Sequence, residues 1–363
     1  MSLTFKRASL VAQVADAIRS QIHGGTWREW IPSERELSNS LHVSRNTCRF
    51  ALHMIYREGL AEPIQGRGIR VKRATPASGG PAVATRHSVG VIIPEPIGRL
   101  RPSNALMIEE LQAELYDMGV RLQLHSSPAY YGGNPRHALE KLVEKNPHDC
   151  WILVLSQRPL QSWFMQRGLP CVISGSIYDG VELPSVDFDL RAVCRHAVGM
   201  LLAQGHRRIV FFNRQLRAAG DLDSEMGFHE GVRGTSYEQV EARVVYHDDH
   251  LASVASLTKQ LFKGSMKPPS ALIVANPYCY LSVMSTLARL GFRVPDDVSL
   301  ISRDDDPFLN HVDPEPARYI YDVTHLARKV MFLVRSLLDG GLAKRDAVRI
   351  VPHFSAGGSV RKQ

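Results

Sequence analysis

The sequence is poor in the features that would mark a secreted, membrane-spanning or metal-dependent protein. Its five cysteines, Cys48, Cys150, Cys171, Cys194 and Cys279, stand far apart, with no Cys-x-x-Cys pair. They read as buried free thiols in a reducing compartment rather than as disulfides or metal ligands. No apolar run reaches the roughly 18 residues a membrane helix needs. The N-terminal stretch MSLTFKRASLVAQVADAIRS has no apolar segment followed by a small-residue cleavage site. Secretion is therefore not expected, and the expected location is the cytoplasm. The fifteen histidines form no HxxxH or HExxH pattern. The acidic runs Asp248-Asp249 and Asp304-Asp305-Asp306 lack the spacing of a calcium loop and read as helix caps and turns. No metal and no cofactor are expected. GxSxG, phosphate-loop, GxGxxG and zinc-protease patterns are all missing, which argues against an enzyme.

What the chain has is enough apolar material for two domains. It runs to 363 residues, 44% hydrophobic and 22% charged. Its net charge of +8 is unevenly placed. Residues 1–74 hold twelve Lys/Arg against six Asp/Glu, so +6 lies in the first fifth and +2 in the rest. A small basic module on a near-neutral body is the electrostatic footprint of a polyanion binder.

Composition places the boundaries. Residues 1–73 form the basic module. Residues 74–87 (ATPASGGPAVATRH) are a linker rich in Ala, Pro, Gly and Ser, and residues 88–363 form the body. In the module, Leu10, Val14, Ala17, Ile18 and Ile22 make one stripe of a first helix, stopped by Gly24-Gly25. Ser33 with Glu36 has capping-box spacing and opens a short second helix. A third starts at Ser44, with Cys48, Ala51, Leu52 and Ile55 inward and Arg45, Asn46, Arg49 and His53 outward. Residues 60–64 and 68–71 read as two short strands joined at Gln65-Gly66-Arg67.

From Ser88 onward the pattern alternates. Short apolar runs at 88–93, 121–125, 151–155, 171–174, 208–212, 242–246, 271–275, 298–302 and 318–321 read as strands. Helical stretches near 104–118, 135–146, 190–204, 225–233, 251–263, 278–290 and 322–339 separate them. Strand–helix alternation predicts an α/β body with parallel sheets. About ten strands suit two lobes better than one sheet.

A helix that probes a major groove needs Arg, Asn or Thr on the outer face of its first turns, with further cations for phosphate. Arg45, Asn46, Thr47 and Arg49 supply the first, and Arg35 and Arg67 the second. The segments PSERELSNSLHVSRNTCRFAL (32–52), REGLAE (57–62) and QGRGIRV (65–71) resemble the winged helix-turn-helix of GntR-type regulators. The resemblance implies DNA contacts at Arg35, Ser44, Arg45, Thr47, Arg49 and the wing glycine Gly66. Two departures stand out: Phe50 where the recognition-helix pattern has an acid, and the short link GGTWREWIP.

The body resembles the LacI/GalR-type effector domain, of periplasmic-binding-protein-like fold, through SVGVIIPEP (88–96), AVGMLLAQGHRRIVFFN (197–213), GFHEGV (227–232) and GFRVPDDVSLISRDDDPF (291–308). That implies a small-molecule effector, such as a sugar or sugar derivative, between two lobes: one of about 88–188 and 322–340, the other of about 189–320 and 341–359. The family pattern maps its ligand-binding amide to Asn276 and its carboxylate to Asp304. Tyr130, Tyr131, Trp163, Tyr178, Tyr278 and Phe308 are candidate rings over a sugar face. The arginine that the family places before the Gly-Phe pair falls at Ser224. The expected GFDD reads Ser302-Arg303-Asp304-Asp305, and Pro277 follows Asn276. Arg214 or Arg217 could stand in for the missing arginine. The resemblance implies a ligand-responsive repressor of a carbohydrate-related operon, acting on double-stranded operator DNA as a homodimer, with no membrane partner. The alternative is a solute sensor of the same fold with a non-sugar ligand and a weak DNA-binding head.

Overall fold

The computed structural model describes residues 10–363 except 24–25, 28, 42, 58, 65–66, 73–86, 265–266 and 342–346. Gly66 and all of the expected linker but its last residue lie outside the described residues. The chain divides into two compact units, Met1–Ala84 and Thr85–Gln363.

The first unit contains α1 (Leu10–His23), β1 (Trp30–Ile31), α2 (Glu34–Leu41), α3 (Arg45–Arg57), β2 (Ala61–Ile64) and β3 (Gly68–Val71). Its helices form because their apolar residues recur on one side: Val14, Ala15, Ile18, Leu37, Cys48, Ala51, Leu52 and Ile55 bury a shared core. The capping box is present. The Glu36 amide donates to Ser33 Oγ at 3.3 Å, and the Ser33 amide donates to the Glu36 carboxylate at 2.8 Å. The third strand was not foreseen: Trp30-Ile31 pairs antiparallel with Arg70-Ile69, so the sheet order is β1-β3-β2. Two residues are too short a run to show alternation.

The second unit runs through β4 (Ser88–Ile93), α4 (Pro102–Asp117), β5 (Arg121–Ser126), α5 (Arg136–Lys145), β6 (Cys150–Val154), α6 (Arg158–Arg167), β7 (Cys171–Ser174) and β8 (Ser185–Phe188). It continues with α7 (Leu190–Ala203), β9 (Arg208–Arg214), α8 (Ala219–Arg233), β10 (Glu241–His247), α9 (Leu251–Lys263), β11 (Ala271–Val274), α10 (Pro277–Leu290), β12 (Ser299–Ser302) and β13 (Ala317–Ile320). It ends with α11 (Val323–Leu338), β14 (Ala347–Ile350) and β15 (His353–Ser355).

Two six-stranded sheets result, ordered β14-β8-β7-β6-β4-β5 and β10-β9-β11-β12-β13-β15. Every pairing is parallel except β13 with β15. Central strands such as Cys150–Val154 are buried throughout, as strands covered by helices on both faces must be. The chain passes between lobes three times: after Phe188, after Ile320 and after Ile350. The last passage corrects the expected boundary. Residues 347–350 pair with 185–188 and complete the first sheet, so only the strand from His353 returns to the second. The sequence also hid α6, whose buried Trp163 and Phe164 sit among polar neighbours that blur its stripe. Among the described residues no helix is long and apolar enough to cross a membrane.

Helices α7 and α8 pack against each other at Gly227. A Cβ built there would stand 2.0 Å from the Arg191 carbonyl oxygen, a backbone atom that cannot swing away. Gly227→Ala is expected to destabilise the body by about 1–3 kcal/mol through overpacking, read as a lower urea midpoint. An unchanged midpoint would mean the two helices separate freely.

Candidate functional site

The first candidate surface lies at the start of α3. Ser44 caps it: the Thr47 amide donates to Ser44 Oγ at 3.1 Å, and the two hydroxyls lie 2.8 Å apart. Ser44 therefore holds the helix end. Arg45 and Asn46 are exposed in the first turn, with no hydrogen bond or ion pair to the protein among the described residues; Arg35 and Arg67 are exposed in the same way. Arg49 is committed. Its guanidinium reaches Glu34 on α2 at 3.0–3.3 Å, tying the two helices together. Of the positions expected at DNA, Arg35, Arg45, Asn46 and Arg67 are thus presented outward, Ser44 and Thr47 are engaged in the cap, and Gly66 is not described.

The second candidate site is a cleft of about 330 Å³ between the two lobes of the body. It lies beyond the carboxyl ends of the strands, where open α/β sheets place their ligands. Its centre is a buried charge network. Arg303, which follows β12, sends Nε and Nη2 to Asp304 at 2.8 and 3.2 Å, and Nη1 to Asp221 at 3.2 Å and Ser224 Oγ at 2.9 Å. Asp304 also accepts from Arg101 at 2.9 Å and from the Tyr321 hydroxyl at 2.9 Å. Asp221 is further paired with Arg214 at 2.8 Å. Burial alone would raise the Asp304 carboxyl, but Arg303 and Arg101 overcome it and hold it below the usual carboxylate range.

Two ion pairs span the cleft. Arg101, just before α4 in the first lobe, reaches Asp304 in the second. Arg349 of β14 reaches Asp223 of α8 at 3.1 Å and Ser176 Oγ at 3.0 Å. The Ser176 hydroxyl donates to Asp187 at 2.7 Å. Burial pushes the Asp187 carboxyl up, against that hydrogen bond and the charge of Arg349. Phe188 and Tyr321 stack with centroids 4.2 Å apart and line the same cleft.

Of the residues the sequence pointed to, Asp304, Arg214 and Tyr131 line the cleft. The others stand elsewhere. Asn276 caps α10, accepting from the Tyr278 amide at 2.9 Å, because it precedes the helix and its side chain folds back on the first turn. Tyr130 packs with Trp163 and Tyr178 in the core beside β6 and β7. Tyr278 and Phe308 pack on each other, and Arg217 turns to Glu225. Ser224 lies behind Arg303 and donates to the Gly220 carbonyl at 2.7 Å. Sequence reasoning missed Arg303, Asp221, Arg101 and Arg349. A signal for Arg303 was present: an arginine stands where the GFDD pattern has phenylalanine, while Ser224 stands where it has arginine. The lost guanidinium is restored from another element.

The family comparison decides between a regulator and a plain solute binder. Residues 10–71 match the model of bacterial regulatory proteins of the gntR family, and residues 198–360 match the periplasmic binding protein-like domain. The chain joins a GntR-type head to a periplasmic-binding-protein-like body. The arabinose metabolism transcriptional repressor of Geobacillus stearothermophilus is 25% identical over 314 residues, 82% of each chain. The body's fold is shared with a LacI family transcriptional regulator from Enterococcus faecium with bound ribose (TM-score 0.63, 14% identity, 76% of this chain and 99% of that one). A transcriptional regulator CelR–cellobiose complex superposes with TM-score 0.65 at 19% identity, over 97% of this chain and 100% of that one. The regulator is thus a ligand-responsive DNA-binding protein of transcription and not an enzyme.

Proposed function

We propose that the regulator represses its target genes as a symmetric homodimer, and that a carbohydrate-class effector seated between the lobes sets its affinity for operator DNA. The observation that carries this reading is the pairing of Arg101 with Asp304 across the cleft. The residues that would meet a ligand are the same ones that hold the lobes together. A ligand acts on DNA binding only by preferring one of two states, and a bridge at its own binding site gives it that preference. The cleft suits a neutral, hydroxyl-rich molecule. Each of its arginines is already paired with a carboxylate of the protein, its donors and acceptors have fixed directions, and the Phe188–Tyr321 stack offers an apolar wall. Relatives of the same fold are described with ribose and with cellobiose, which supports that ligand class. Two heads are needed because one recognition helix makes few base contacts. The adjacent helices α4 and α11 leave Met118 and Phe332 exposed, an apolar surface that a second copy would cover.

The test is a thermal-shift screen of the full chain against sugars, sugar phosphates, sugar acids and nucleosides, followed by operator titration with each hit. A ligand at 100 times its dissociation constant should add about 2.7 kcal/mol to stability and shift operator affinity. A hit that stabilises the protein and leaves DNA binding unchanged would separate sensing from regulation and sink the proposal. Arg101→Met is expected to weaken the effector by about tenfold, about 1.4 kcal/mol. It should barely change the unliganded melting temperature, because Asp304 keeps Arg303. Isothermal titration of the variant checks this.

A further inference from the structure

In the second lobe, the end of β10 and the start of α10 bring three different metal-ligating side chains to one point. His247 is the last residue of β10, Asp249 follows two residues on, and Cys279 stands in the first turn of α10. His247 Nδ1 lies 3.4 Å from Asp249 Oδ1. Cys279 Sγ lies 3.6 Å from that oxygen and 3.8 Å from Nδ1. The nitrogen–oxygen distance is too long for a good hydrogen bond. All three distances suit the edges of a coordination figure instead. Bonds of about 2.0–2.1 Å to nitrogen and oxygen and about 2.3 Å to sulfur, at tetrahedral angles, separate the ligand atoms by about 3.3 Å (N···O), about 3.5 Å (S···O) and about 3.6 Å (S···N). We propose that His247, Asp249 and Cys279 form a binding site for a zinc-class divalent cation, with the fourth position left to water.

The surroundings fit such a site. His247 and Cys279 are buried, while Asp249 is exposed and opens the point to solvent. Asp249 holds a left-handed backbone, φ +64°, a conformation that is strained for a residue with a side chain. Asn276 donates to Asp249 Oδ1 at 3.3 Å and so fixes the carboxylate from a second shell. The Asp249 amide donates to His247 Nδ1 at 3.1 Å, so the Nδ1 lone pair faces the cluster but is engaged by that amide, and the imidazole proton sits on Nε2, a buried atom with no hydrogen-bond partner among the described residues. A cation at Nδ1 takes the place of that amide, and the Cys279 thiol releases its proton to solvent as the metal–sulfur bond forms. Asp248 does what the sequence suggested for both acids: it accepts from the His250 amide at 3.1 Å ahead of α9. Asp249 does not cap a helix. His247 pairs in register with Arg214, a residue of the effector cleft, so the cation would tether the strand ends beside that cleft.

The test uses the full chain, stripped with chelator and kept reduced with a phosphine, and titrated with Co²⁺. The expected result is one cobalt per chain, with tetrahedral visible bands and a thiolate-to-cobalt charge-transfer band in the near ultraviolet, both lost on adding Zn²⁺. Cys279→Ser removes the charge-transfer band. Asp249→Ala, at an exposed position, keeps the fold by circular dichroism and weakens binding by about tenfold or more. Absence of stoichiometric cobalt binding, or a charge-transfer band that persists in Cys279→Ser, would overturn the site. Neither readout depends on effector or operator.

Discussion

Arg45→Ala is expected to weaken operator binding by about 1–3 kcal/mol for each head, hence about 2–6 kcal/mol for a two-headed dimer, with no change in the melting temperature. Arg45 stands exposed in the first turn of α3, where a recognition helix meets base edges, and nothing in the protein occupies its guanidinium among the described residues. Removing it takes away a bidentate donor without disturbing the fold. Arg49→Ala should behave differently. Its guanidinium ties α3 to Glu34, so its loss loosens the junction of the two helices as well as the DNA contact. Arg35→Ala should lower affinity evenly across sequences and reduce the salt dependence by about one unit, the mark of a lost phosphate contact. Fluorescence anisotropy on operator and scrambled duplexes, at several salt concentrations, distinguishes the three. An Arg45→Ala protein that still prefers its operator would remove α3 from the reading head.

The largest loss of stability is expected from Asp304→Ala, about 3–5 kcal/mol in urea unfolding, a fall on the order of 10 °C in melting temperature. Three guanidinium groups, Arg101, Arg214 and Arg303, share two carboxylates, Asp221 and Asp304. Without Asp304, the three guanidinium groups share Asp221 alone, and Arg303, the buried one, loses two of its four hydrogen bonds. Arg303→Met removes the most buried of the three guanidinium groups, yet it leaves Arg101 with Asp304 and Arg214 with Asp221. It should cost roughly half as much or less. Both variants should lose effector binding. If Arg303→Met proves the more damaging, the network is organised around Arg303 contacts to Ser224 and Asp221 rather than around charge matching.

Much of this was legible in the chain. The stripe of Cys48, Ala51, Leu52 and Ile55 fixed which face of α3 points inward, and the Ser33–Glu36 and Ser44–Thr47 caps fixed where helices begin. Periodicity and caps are local, so a window of a dozen residues contains them. The strands that escaped notice are short and lie next to loops. β1, β8, β14 and β15 have two to four residues each, and β14 and β15 take their pairing from strands distant in sequence.

The sequence determined that there would be a basic helical head and a parallel α/β body in two lobes, because apolar spacing and charge placement are properties of adjacent residues. Only the tertiary structure decided the chemistry of the cleft. Arg303 meets Ser224 across 79 residues, and Arg101 meets Asp304 across 203. The same holds for the meeting of His247 with Cys279, 32 residues apart. A buried guanidinium or imidazole takes whatever partner the packed backbone brings within about 3–4 Å, and that choice is made by the fold as a whole.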